Sequence, residues 1–183
     1  MVASLTMRGE ARAEKIQALM KALSRAARGP GVIYFTGGAS AVLEGWREAT
    51  IDVDLKLAPE APGIFEALPR LKDELDLNVE LASPDDFIPA LPDWESRSPL
   101  IAQLGPLRFH HYDFFAQALS KIERSHSQDV LDVDEMFRRR LINSAELRSL
   151  FERIRPALNR FPAIDAEDFA NKVAEALRSH EGG

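Results

Sequence analysis

"FTGGASAVLEGWREATIDVDLKL", residues 35–57, sets two glycines behind a short apolar run and then alternates apolar with charged positions. The apolar run, Val32 to Phe35, is too short for a helix and reads as a buried strand. Gly37 and Gly38 form a turn, and the small and apolar residues from Ala39 to about Trp46 suit a short helix. In "IDVDLKL" the period is two: Ile51, Val53, Leu55 and Leu57 share one face of a strand, and Asp52, Asp54 and Lys56 share the other. A strand, a turn, a short helix and a half-polar strand within residues 32–57 place this part of the chain in a mixed α/β class.

Outward from that stretch the pattern is legible in both directions. Ile16, Leu19, Met20 and Leu23 recur at helical spacing and predict a helix over residues 6–28, stopped by Gly29-Pro30-Gly31. A helix over residues 63–75 leads to "LNVELA", a strand in which Glu80 alternates with Val79 and Leu81. Residues 83–99, rich in proline and aspartate, read as a long surface loop. Residues 100–104 and 107–111, joined by Gly105-Pro106, predict a hairpin. Beyond it the period changes to three and four, as in Phe115, Leu119 and Ile122, with Ser127, Ser144 and Asp165 placed as helix N-caps. The expected plan is an α/β (α+β) fold with a small mixed sheet flanked by helices over residues 1–111. A helical region over residues 112–183 is expected to pack on it and close one side of a cleft.

Composition narrows the functional classes. The formal charge is −6 over 183 residues, which argues against nucleic-acid binding driven by overall charge, because phosphate binding needs a concentrated basic surface. With no cysteine, any metal must be held by oxygen or imidazole, and a reducing, cytoplasmic location fits. The first 23 residues carry charges among their apolar positions, unlike a signal peptide, and no later run approaches a membrane span. The expectation is a soluble protein with no membrane partner.

Residues two apart on a strand project from one face about 6.6–7 Å apart, so Asp52 and Asp54 can direct their carboxylates toward one point. Magnesium takes oxygen ligands in octahedral geometry, usually one or two carboxylates together with water and substrate phosphates. Glu80, from a neighbouring strand, is the candidate third acid for a second ion or for a base. Gly37 and Gly38 precede a helix start, where bare N–H groups and the helix dipole favour phosphate, and Ser40 can add a hydroxyl. A structural reading stands beside this one, since alternating aspartates suit any half-exposed sheet and a glycine pair suits any tight turn.

"FTGGASAVLEGW" followed by "IDVDL" resembles the signature of the DNA polymerase beta-like nucleotidyltransferase superfamily. The segment "YDFFAQALSKIERSHSQDVLDVDEMF" is similar to the helical segment of AbiE-type toxin-like and uncharacterised bacterial nucleotidyltransferases. The resemblance covers roughly residues 30–140. It implies Asp52 and Asp54 as metal ligands, with Mg²⁺ or Mn²⁺ as cofactor. It implies Gly37 and Gly38 as the nucleotide-phosphate turn and Lys121 as a triphosphate contact. Arg124, Asp129 and Asp132 match the basic and acidic positions after that lysine. This chain departs from the pattern in having its serine displaced to Ser40 and a glutamate, Glu80, as third acid.

The remaining polar features read more plainly. Lys121 and Arg124, with Gln117, share a helix face beside the apolar stripe, either as a cationic edge or as a solvated face. Asp129 and Asp132 fall where acids favour a helix N-terminus in any case. His110 and His111 point to opposite faces of a strand and cannot easily grip one ion. Arg138, Arg139 and Arg140 spread around a helix, and Trp46 and Trp94 suit packing. No Ser-His-Asp grouping and no Walker-type loop is legible. The expected function is transfer of a nucleoside monophosphate from a nucleoside triphosphate to an RNA, protein or small-molecule acceptor, with a toxin-antitoxin connection implied by the resemblance. The alternatives are a non-catalytic antitoxin-like or partner-binding module of the same fold and a nucleotide-binding regulator.

Overall fold

The structure, a computed structural model, describes residues 8–181 and is a mixed α/β fold of the α+β class. Its elements run β1 (Ala11–Arg12), α1 (Ala13–Ala26), β2 (Gly31–Thr36), α2 (Gly37–Glu44), β3 (Ala49–Thr50), β4 (Asp52–Leu57), α3 (Ile64–Glu74) and β5 (Asn78–Leu81). After two short 3-10 turns, Pro84–Asp86 and Trp94–Arg97, come β6 (Leu100–Leu104), β7 (Leu107–His111), α4 (Phe114–Arg124) and α5 (Ser127–Arg138). The chain closes with α6 (Ser144–Ile154), a 3-10 turn (Arg155–Arg160) and α7 (Ala166–His180). Among these residues no helix is long and apolar enough to cross a membrane.

The chain divides into two compact units, one of residues up to Ala82 together with Leu100–His111, the other of Ser83–Pro99 and the residues from Tyr112 onward. In the first, five strands are ordered β5-β4-β2-β7-β6, and β1 pairs with β3 as a separate ribbon. β2 runs antiparallel to β4 and parallel to β7, and β4 runs parallel to β5. One sheet face carries Ile33, Phe35, Val53, Leu55, Val79 and Phe109, buried together with Ile16, Leu19 and Leu23 of α1 and Ile64, Leu68 and Leu71 of α3. Period-two strands and period-3.6 helices meet there because each has one apolar side to remove from water, at about 1.5–3 kcal/mol per large side chain.

The α1 helix begins at Ala13, later than the apolar spacing suggests, because Ala11 and Arg12 pair with Thr50 and Ala49. Residues 6 and 7 of the expected helix lie outside the described residues. Ile51 stands before β4 and is 51% exposed, so the strand's apolar face starts at Val53.

The second unit holds α4 to α7 and residues 83–99. Those residues are no surface loop: Pro84, Ile88, Leu91 and Trp94 are buried. Trp94 stacks on Tyr112 with ring centroids 4.3 Å apart and planes 6° apart, a contact worth about 0.5–1.5 kcal/mol beyond its area. Arg97 donates to the fully buried Asp113 carboxylate at 2.7 and 3.0 Å, while the other Asp113 oxygen caps α4 by accepting from the Phe115 N–H. Asp165 caps α7 as expected, but α6 is capped by Asn143 and α5 begins after His126, each one residue before the serine that the pattern indicates.

Candidate functional site

Asp52 and Asp54 lie on β4 in alternation with Val53 and Leu55, both fully buried, so the two acids occupy the sheet face away from the core. The parallel register with β5 sets Asp52 beside Asn78 and Asp54 beside Glu80, and the antiparallel register with β2 sets Asp54 beside Thr36. Partners in register share a face, so three acids and an amide belong to one patch. The Asn78 amide ties it together, donating to Asp52 Oδ1 and, at 3.3 Å, to Glu80 Oε1. Glu80 is exposed, whereas the two aspartates are half-buried.

The glycine pair stands against these acids. Gly37 has φ +58°, and a Cβ there would lie 3.0 Å from Asp54 Oδ2, so a bare backbone admits both the left-handed turn and the carboxylate. A Cβ on Gly38 would collide with the Thr50 side chain and lie 3.2 Å from Arg47 Nη1. The two glycines thus make room for the protein's own Asp54 and Thr50, and they open α2 instead of forming a separate turn before it. Beside them an open cavity of about 320 Å³ is lined by Glu10, Arg47, Ala49, Thr50, Ile51 and Asp52.

Carboxylate and amide oxygens are hard donors, which suit Mg²⁺ or Mn²⁺ over softer ions. Among the described residues no three histidine or carboxylate side chains are grouped to hold an ion by themselves. Asp52 and Asp54 on β4 supply two such carboxylates and Glu80, in register with Asp54 on β5, a third, with the rest of an octahedron left to water or a ligand's phosphates.

Ser40 is placed differently from the expectation that it adds a hydroxyl to the phosphate turn. It is fully buried, with its Oγ 2.7 Å from His111 Nδ1, and His111 Nε2 lies 3.1 Å from Glu44 Oε1. A serine, a histidine and an acid do meet here, contrary to the sequence reading, because α2 carries Ser40 and Glu44 while the parallel β2–β7 register brings His111 level with Phe35. Buried in this way, Ser40 is inaccessible as a nucleophile. Burial, with a smaller contribution from neighbouring His110, pushes His111 down from 6.5 to about 4, so the imidazole is neutral at pH 7. His110 faces the other way and packs against Tyr34, 5.4 Å between ring centroids.

Lys121, Arg124, Asp129 and Asp132 do come together, in the α4–α5 corner of the second unit. Lys121 is no solvated cationic edge: it is 5% exposed, donates to Asp132 Oδ2 at 2.7 Å and lies 3.5 Å from Asp129 Oδ1. Arg124 grips Asp129 with two hydrogen bonds of 2.8 and 2.6 Å. Burial works to raise the Asp129 carboxyl, but the Arg124 hydrogen bonds and the Lys121 and Arg124 charges outweigh it and hold it below the usual carboxylate range. Gln117 is buried and donates to the Tyr112 carbonyl. A triphosphate contact by Lys121 requires breaking two ion pairs first.

The sequence reading passed over Asn78, Arg47 and Thr50. Asn78 had a signal, two residues before Glu80 on the same face of an alternating strand. Arg47 and Thr50 had none, because what they border depends on the return of the chain after α2. No protein-family model, no curated protein and no solved structure matches the chain.

Proposed function

We propose that the protein is a metal-dependent nucleotidyltransferase that moves a nucleoside monophosphate from a nucleoside triphosphate to an acceptor hydroxyl. The observation that carries this reading is the placement of Asp52 and Asp54 on one face of β4, with Asp54 Oδ2 against the bare Gly37 backbone where α2 starts. Mg²⁺ or Mn²⁺ bound by the two aspartates would neutralise phosphate charge and polarise the reacting phosphorus. In the reaction an acceptor oxygen bonds to the α-phosphorus, the bond from that phosphorus to the β-bridging oxygen breaks, and pyrophosphate leaves. Glu80, exposed and oriented by Asn78, takes the acceptor proton. Positioning and charge neutralisation supply most of the rate enhancement in such a transfer.

A second reading, a non-catalytic or antitoxin-like module of the same fold, is favoured by one observation: Lys121 is occupied by Asp132 and Asp129 inside its own unit. Incubating the protein with Mg²⁺, each labelled nucleoside triphosphate and cell extract separates the two. Transfer of label to an RNA, a protein or a small molecule, lost in Asp52→Asn with Asp54→Asn, supports the enzyme. Label transfer that persists in the double variant rules out these carboxylates.

A further inference from the structure

The buried pairing of Lys121 leaves open which cation meets the phosphate chain, and the first unit offers one. Arg47 follows the C-terminal end of α2, where its backbone N–H bonds to the Ala41 carbonyl, yet its guanidinium reaches the opposite end of that helix. There Nη1 lies 3.2 Å from the position a Gly38 Cβ would take. The guanidinium thus lies at the positive end of the α2 dipole, in a cavity that Asp52 also lines, an arrangement that favours an anion there.

The cavity has a built rim. Pairing of Ala11 with Thr50 and of Arg12 with Ala49 fixes the strand that follows Arg47. The Thr50 hydroxyl donates to the Asp52 carbonyl at 3.0 Å, so its proton is taken and it presents lone pairs alone. Among the described residues lining this space, Arg47 is the one cation, and Asp52 and Glu10 line it too. A volume of about 320 Å³ lies at the lower end of the range for small-molecule sites, roughly 300–1,000 Å³. A guanidinium matches phosphate oxygens with two parallel N–H donors, which no other side chain on this rim can do.

Resting on the nucleotidyltransferase reading, we propose that Arg47, in the cavity it shares with Asp52 and Thr50, binds the terminal phosphates of the nucleoside triphosphate and so takes the place expected for Lys121. Asp52 lines this cavity, so a metal held by Asp52 and Asp54 would supply a second positive charge to a polyphosphate bound by Arg47, offsetting the charge of Asp52 and Glu10.

The test measures affinities of the full chain, with Mg²⁺, for a nucleoside triphosphate, the matching monophosphate and inorganic tripolyphosphate, and affinity for Mn²⁺ alone by paramagnetic resonance. Arg47→Ala is expected to weaken triphosphate and tripolyphosphate binding at least tenfold, to weaken monophosphate binding less than threefold, and to leave Mn²⁺ binding unchanged. Arg47→Lys, which keeps the charge but not the fork, recovers part of the loss and guards against a folding defect in the alanine variant. Equal loss for mono- and triphosphate, or triphosphate binding retained in Arg47→Ala but lost in Asp52→Asn with Asp54→Asn, overturns the assignment to Arg47 alone. Wild-type protein that binds no triphosphate overturns the enzymatic reading and this one together.

Discussion

Two groups of acids in this molecule meet opposite fates. On α5, Asp129 and Asp132 are almost wholly buried, each with a cation 2.6–2.7 Å away. On β4 and β5, Asp52, Asp54 and Glu80 stand half-buried or exposed on one sheet face, and the bridge between Asp52 and Glu80 is the neutral amide of Asn78. Burying a carboxylate is tolerable when a cation is buried with it. On the sheet the acids stand side by side, Asp54 opposite Glu80, where like charges repel and a bound cation would relieve them. The helical group has the chemistry of a structural clamp, and the sheet group carries the proposed site.

The sharpest way to break this contrast is to delete one partner of the clamp. Asp132→Ala leaves Lys121 charged and buried beside Asp129, and is expected to destabilise the protein by about 3–5 kcal/mol in urea unfolding. Lys121→Ala, which an exposed lysine would tolerate, is expected to destabilise it as well. Asp52→Asn and Asp54→Asn should leave stability within about 1 kcal/mol of wild type or raise it, since relief of like-charge repulsion in a functional site often stabilises. If all four variants lose stability equally, the distinction between clamp and site fails.

Gly37→Ala comes next. It forces a Cβ into the left-handed region and against Asp54 Oδ2, at an expected cost of about 1–2 kcal/mol, with weaker Mg²⁺-dependent nucleotide binding in the same titration. Gly45→Ala, whose Cβ would meet nothing within 4 Å, shares the backbone strain but should leave nucleotide binding alone. Equal binding losses in both would assign the effect of Gly37 to the backbone and not to the carboxylate.

A smaller effect tracks pH through His111. Its folded value, about 4, lies below the unfolded 6.5, so the unfolded chain takes up the proton first as pH falls. The neutral imidazole's contribution is whole above pH 6.5 and drains away between 6.5 and about 4, by no more than about 3 kcal/mol. His111→Gln should flatten the melting temperature across that window, and an unchanged slope would assign the acid sensitivity to other groups. Smallest of all, Arg138→Ala removes an exposed guanidinium paired with Glu135 and should leave both melting temperature and nucleotide binding unmoved.

Much of the fold was legible because it rests on local periodicity. The alternation from Val53 to Leu57 and the three-and-four spacing of Phe115, Leu119 and Ile122 need no distant partner to be read. Residues 83–99 misled because proline and aspartate also suit 3-10 turns, and nothing local reveals that Trp94 stacks on Tyr112 or that Arg97 reaches Asp113. Lys121 misled for a related reason: spacing places a lysine on a helix face, but the acids that bury it lie 8 and 11 residues further on, across a turn.

The sequence by itself determined the α+β class, the strand that carries Asp52 and Asp54 on one face, and the glycine pair ahead of it, because side-chain direction in a strand follows from a two-residue period alone. Tertiary structure decided which charges are neutralised. Strand register brought Asn78 and Glu80 to the aspartates, the return of the chain after α2 aimed Arg47 at Gly38, and the α4–α5 corner enclosed Lys121. Electrostatic roles depend on distance and burial, and both are properties of packed pairs that no single segment contains.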